Sequence, residues 1–217
     1  MKLLNSMGPN PRIVRMFLLE KGLDIPFEEV DILEAENRDD EYTKQNPAGQ
    51  LPGLLLDDGN CIAETVAICE YLEDLHPDPA LIGTTPLEKA EHRMWQRRIE
   101  LNITENLYNA FRYSVGLEIF KRRIHCLPEA AAGLKDLTAK NLRWLDGLMG
   151  RRSFICGERL TLADIILFCA LDFGEGVEQP LDTSLLNINA WFARMMTRDS
   201  AHRSLHPDGA DGGRRGV

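Results

Sequence analysis

NPAGQLPGLLLDDGNCIAETVAICEYL, residues 46–72, is the stretch that decides the fold. It reads as a loop, a Leu51-Pro52 step, a short buried strand, a turn at Asp57-Asp58-Gly59, a second strand, and a helix opening at Glu64-Thr65. Asp58-Gly59 is hairpin chemistry, because glycine takes the positive φ that a tight turn demands. At Glu64-Thr65 the free N–H groups and positive dipole end of a starting helix suit a carboxylate. Pro52 donates no N–H, so the amide and carbonyl of Leu51 are left to pair with another peptide as a short added strand. A carboxylate receptor beside a backbone receptor describes a small acidic peptide as ligand.

Working outward, residues 2–5 read as a strand, 11–22 as a helix closed by glycine, and 25–32 as a second strand parallel to the first. A loop and short helix precede the hairpin, and the helix from Thr65 to about Leu75 stops at His76-Pro77. The order is β-α-β-α-β-β-α. A Pro-rich connector follows, and beyond it the pattern is wholly helical. Leu87, Ala90, Met94, Trp95, Leu101, Leu107, Tyr108 and Phe111 predict one long helix. Leu134, Leu137, Leu142, Leu145 and Leu148 predict another. Residues 162–171 are apolar on every side and predict a buried central helix, opened by a Thr161/Asp164 capping box. The expected division is therefore 1–79, a linker at 80–86, a helical domain at 87–205, and a glycine-rich disordered tail at 206–217.

The chain has 217 residues, 44% of them apolar, enough to bury a core without metals or disulfides. No apolar run reaches membrane-spanning length, and Met1-Lys2-Leu3-Leu4 lacks a signal peptide's apolar core, so a cytoplasmic location is expected. Five cysteines without a Cys-x-x-Cys pair read as reduced core thiols. A net charge of −9 with no basic stripe argues against nucleic acid or an anionic membrane as partner. Histidines 76, 92, 125, 202 and 206 are scattered, and no metal site is expected.

Asn46-Pro-Ala-Gly-Gln-Leu-Pro52 followed by Glu64-Thr65 resembles the glutathione-binding half of cytosolic glutathione transferases. Phe154-Ile-Cys-Gly157 followed by Leu160-Thr161-Leu-Ala-Asp164 is similar to that family's second signature. The resemblance implies a thioredoxin-like α/β domain followed by an all-helical domain, glutathione as co-substrate, and a homodimer. It also implies that Glu64 takes the γ-glutamyl ammonium, that Thr65 takes its carboxylate, and that Leu51 pairs with the cysteinyl backbone beside a cis Pro52. Asn37, Arg38 and Gln50 are candidates for the glycyl carboxylate. The electrophile is expected against the long helix near Tyr108, Phe111, Arg112 and Tyr113.

The implied reaction is conjugation of the glutathione thiolate to a small apolar electrophile. Where many members carry serine before Pro-Asn, this chain has Gly8, which resembles a bacterial and fungal branch with Gly-Pro at that turn. Ser6, Asn10 and Tyr113 (with its neighbour Ser114) remain as candidates for the sulfur contact, Ser6 ranked first. No cysteine lies in residues 6–12, so a thiol-disulfide reductase is not expected. The rival readings are a glutathione-dependent isomerase or dehalogenase on the same scaffold and a non-catalytic binding module.

Overall fold

The computed structural model describes residues 1–208; most of the expected tail, from 209 onward, lies outside the described residues. The chain forms two compact units. The first is Met1–Ala80 together with the described residues of Asp199–Asp211, and the second is Leu81–Arg198.

In the first unit, strand β1 (Lys2–Asn5), helix α1 (Pro9–Lys21) and strand β2 (Phe27–Glu29) make a parallel crossover. Helix α2 (Asp40–Gln45), strands β3 (Gly53–Leu55) and β4 (Cys61–Ala63), and helix α3 (Thr65–Leu75) complete it. The sheet order is β2-β1-β3-β4, with β3 antiparallel to both of its neighbours. β1 is central, and its Leu3 and Leu4 are buried. β2 is shorter than residues 25–32 predict. It lies at the edge with exposed side chains and pairs only with a four-residue strand, which limits its ladder. α1 ends at Gly22 in the left-handed conformation that glycine adopts freely. A buried ion pair, Lys21 Nζ to Glu73 Oε2 at 2.8 Å, ties α1 to α3.

The second unit holds α4 (Pro86–Ile99), α5 (Glu105–Arg112), α6 (Leu117–Phe120), α7 (Ala131–Met149), α8 (Leu162–Gly176) and α9 (Leu186–Met196). The long helix predicted across 87–111 is interrupted by a π-helical segment at Glu100–Thr104. Widening the turn frees carbonyls, and asparagines satisfy them. The Asn102 carbonyl accepts from Asn106 Nδ2 at 2.8 Å and from Asn141 Nδ2 on α7 at 2.7 Å. On α7 the buried face is Ala131, Thr138, Leu142, Leu145 and Met149, while the predicted Leu137 and Leu148 face outward. Among the described residues, no helix is long and apolar enough to cross a membrane.

The short helix α10 (Asp199–Arg203), in the stretch expected to belong to the helical domain, packs on α1 and groups with the first unit. The buried Arg12 donates to Ser204 Oγ at 3.3 Å and to the Ala201 carbonyl at 2.9 Å. Arg15 donates to the Ser204 carbonyl at 2.8 Å, and Ser200 bonds Glu20.

α8 is the buried axis of the second unit, its residues buried from Leu162 through Gly174. Asp164 anchors its start. Oδ2 accepts from the Thr161 N–H and hydroxyl, both at 2.9 Å, and Oδ1 accepts from the Ile155 N–H and Trp191 Nε1, both at 2.9 Å. Burial raises the Asp164 pKa, and all four donors oppose that rise. Thr161→Ala removes one donor and the cap. It is expected to cost about 1–2 kcal/mol, read as a lower midpoint in chemical denaturation with the activity of folded molecules retained.

Candidate functional site

Sheet register gathers the sequence-predicted residues of the first unit at one end. Leu4 of β1, Gly53 of β3 and Ala63 of β4 share a rung: Leu4 pairs with Gly53, and Gly53 pairs with Ala63. With strands about 4.8 Å apart, that rung spans roughly 10 Å. The turn after β1, the Leu51-Pro52 step before β3 and the Glu64-Thr65 step after β4 all leave the sheet there.

At the third position Glu64 is the N-cap of α3, with φ 69 and ψ 121, a costly conformation for a residue with a Cβ. Its side chain makes no capping bond and is exposed. The first helical bond runs from the Ile68 N–H to the Glu64 carbonyl at 3.0 Å. The N–H groups of Thr65, Val66 and Ala67 therefore have no partner among the described residues, and no acidic residue occupies the first turn. Thr65 does not cap its own helix. Three amides, a dipole end and one exposed carboxylate together suit an α-amino acid's carboxylate and ammonium.

The Leu51-Pro52 peptide is cis, as expected. The Leu51 N–H and carbonyl have no hydrogen-bond partner among the described residues, which leaves both for an extended peptide. The preceding loop is held from behind. The Gln50 carbonyl accepts from Tyr42 Oη at 2.6 Å and Asn46 Nδ2 at 2.7 Å. Burial pushes the Tyr42 phenol up to about 12, so it stays a donor. Asn37 is buried, and its Nδ2 donates to the Gly49 carbonyl at 2.7 Å. That bond engages one of the two Nδ2 hydrogens, so the Asn37 amide helps to hold the loop. Arg38 Nη1 reaches the Ala48 carbonyl at 3.2 Å from an exposed position, and the exposed Gln50 side chain forms no hydrogen bond. Tyr42 was not singled out in the sequence, and Asn46 entered only as the first residue of the Asn46–Pro52 motif; it opens a turn, seen as the Gly49 N–H bonding its carbonyl at 2.8 Å.

The turn after β1 departs most from expectation. Ser6 is buried, and its Oγ donates to the Val30 carbonyl at 2.7 Å. The hydroxyl proton of this first-ranked candidate is therefore engaged by the residue that follows β2. Arg15 Nη1 fixes the same turn through the Ser6 carbonyl at 2.9 Å. Asn10 is not the helix cap. Gly8 is, at φ 113 and ψ 164, with open space where a Cβ would stand. The conformation therefore excludes a serine there without strain, although the space would admit one. Pro9 and Pro11 carry no N–H and the Arg12 N–H bonds the Gly8 carbonyl, so Asn10 holds the one free amide of this first turn. Its half-buried side chain makes no hydrogen bond among the described residues.

Tyr108, Phe111, Arg112 and Tyr113 belong to the second unit. Tyr108 is buried edge-on to Phe173 with ring centroids 6.1 Å apart, and Phe111 packs on Phe173 at 5.0 Å and Phe120 at 5.8 Å. Both rings pack within that unit; Tyr108 is buried, and Phe111 keeps partial exposure. Arg112 and Tyr113 are half-buried. Ser114 Oγ is committed to the Ala110 carbonyl at 2.6 Å. Among the described residues, no group of three or more His, Cys, Asp or Glu is placed to hold a metal ion.

Two family models match the chain: "Glutathione S-transferase, N-terminal domain" over residues 7–75 and "Glutathione S-transferase, C-terminal domain" over residues 109–199. Glutathione S-transferase GstA of Escherichia coli O157:H7 is 32% identical over 212 residues, 96% of this chain and 99% of that protein. Glutathione S-transferase 2 of Saccharomyces cerevisiae is 30% identical over 203 residues, 91% of this chain and 86% of that protein. The crystal structure of Gtt2 from Saccharomyces cerevisiae superposes with a TM-score of 0.87 at 29% identity, covering 94% of this chain and all of that one.

Proposed function

Because the chain belongs to the glutathione S-transferase family, we propose that it conjugates the glutathione thiolate to small apolar electrophiles and works as a cytoplasmic homodimer. The observation that carries this reading is the pairing, at one sheet end, of three unpartnered amides at the start of α3 with the unpartnered backbone of Leu51. The γ-glutamyl carboxylate takes the amides of Thr65, Val66 and Ala67, its ammonium takes Glu64, and the cysteinyl backbone pairs with Leu51. Arg38 and Gln50 remain for the glycyl carboxylate, and Arg112 and Tyr113 for the electrophile.

The thiol loses its proton to solvent, and the thiolate attacks the electrophilic carbon. With an aryl halide a C–S bond forms and halide leaves. Lowering a thiol pKa from about 8.5 by two units requires about 3 kcal/mol of preferential thiolate stabilisation. At α1 the donors in reach of that task are the Asn10 amide and side chain with the helix dipole. Asn10→Ala is expected to lower kcat at least tenfold, with glutathione affinity kept within about threefold. Ser6→Ala is expected to lower stability by about 1 kcal/mol and leave kcat per folded molecule unchanged. The opposite pattern in steady-state kinetics returns the sulfur contact to Ser6.

Glu64→Gln keeps the side-chain shape and removes the charge, and calorimetry is expected to show glutathione binding at least tenfold weaker. The dimer reading is supported by exposed Leu87, Met94 and Leu101, spaced seven residues apart. Light scattering should give twice the chain mass for the wild type and a lower mass for Met94→Lys. A non-catalytic binding module is the second reading, favoured by the scarcity of donors at α1. A thermal shift with glutathione but no aryl-halide turnover selects the module; no shift at millimolar glutathione removes both readings.

A further inference from the structure

The second unit buries a set of polar groups that its own fold leaves unpartnered. His92 on α4 is fully inaccessible; neither ring nitrogen meets hydrogen-bond geometry with a partner among the described residues, although the Gln96 side chain lies near enough to act on the ring as a weak hydrogen-bond partner. Gln96, one turn along the same face, is buried with Oε1 unpartnered. Arg159, in the connection that leads into α8, has both terminal nitrogens buried and unpartnered. These groups are neighbours. Burial first, and then the Arg159 charge, with lesser help from Arg93, hold the His92 ring down to about 4. The same guanidinium acts on Glu88 and on the buried Cys156 thiol.

An arginine keeps its charge in proteins, and a buried charge without a counter-ion is among the costlier arrangements a core can hold. The carboxylates nearby are engaged or turned elsewhere. Glu88 is held at the opening of α4 by the Thr84 N–H and hydroxyl, both at 2.7 Å, and the Thr85 N–H at 3.2 Å. Asp164 is saturated by its four donors. Glu91, whose charge reaches Cys156, forms no ion pair with Arg159. Four guanidinium N–H bonds and one imidazole N–H stand against two acceptors, the second ring nitrogen and Gln96 Oε1. Donors therefore predominate, around one fixed positive charge.

We propose that Arg159 and His92 form an internal site for a small monovalent anion of the chloride type, bound between α4 and the 154–161 connection. The anion supplies the missing counter-charge, accepts from the guanidinium and from one ring N–H, and joins the start of α8 to α4. The site is separate from the peptide-binding residues of the first unit and does not rest on the reading of their function.

The test uses the full-length protein, with chloride exchanged for gluconate at constant ionic strength. Chloride should give a saturable rise in Tm of about 4 °C, reproduced by bromide and absent from Arg159→Gln and His92→Leu. Crystals of the wild type grown in bromide should show an anomalous peak within hydrogen-bond distance of the Arg159 terminal nitrogens and one His92 nitrogen. That peak supports the proposal even if the variants fail to fold. Ordered water in its place, the Glu91 carboxylate turned onto Arg159, or an equal chloride effect in folded variants would each overturn it.

Discussion

The backbone rung that joins Leu4, Gly53 and Ala63 is the constraint on which the rest of the first unit depends. Three chain segments with different chemistry must end within roughly 10 Å of one another, and hydrogen bonding across that rung brings them there. Gly53 sits in the middle with little spare room: a Cβ on it would meet Cys61 Sγ at 3.1 Å and Leu4 Cδ1 at 3.4 Å. A side chain at this position would have to displace those two side-chain ends, which flank the rung. The site's geometry is thus a property of the sheet, and the loops inherit it.

The two helix openings at that end differ. α3 begins with three available amides and no acidic residue in its first turn. α1 begins with two prolines that leave it one. Electrostatic attraction for an anion is concentrated where an amino-acid carboxylate would bind and is sparse where a sulfur would sit. On the proposed function, holding the peptide and activating its thiol would be separate tasks, assigned to different helices. The strain of Glu64, at φ 69, lies with the first task. An exposed carboxylate beside bare amides is kept in a conformation that folding alone would not favour.

Much of this could be read from the residues. Helix α3 matches the sequence reading at both ends, because a hairpin turn and a His-Pro step punctuate it. The Thr161/Asp164 start was legible because capping is a local pattern, and the family motifs gave the order of the domains. What escaped depends on contacts distant in sequence. Ser6 looked available because nothing near it reveals that Val30, across a parallel pairing, takes its proton. The outward turn of Leu137 and Leu148 could not be told from a leucine stripe, since periodicity marks a face without saying which neighbours cover it. The π segment was invisible because it depends on Asn141, brought from another helix.

The clamp formed by Arg12 and Arg15 on residues 200–204 makes the first unit discontinuous in sequence. A ribosome delivers a chain from its first residue onward, and domains ordinarily fold in that order as they emerge. Here β1 and α1 are made well before the packing partner at residues 200–204, which lies 189 to 192 positions further along the chain from the two arginines. Two guanidinium groups that end up buried must stay hydrated throughout that interval. The first unit consequently reaches its finished form only after the whole of Leu81–Arg198 has been made.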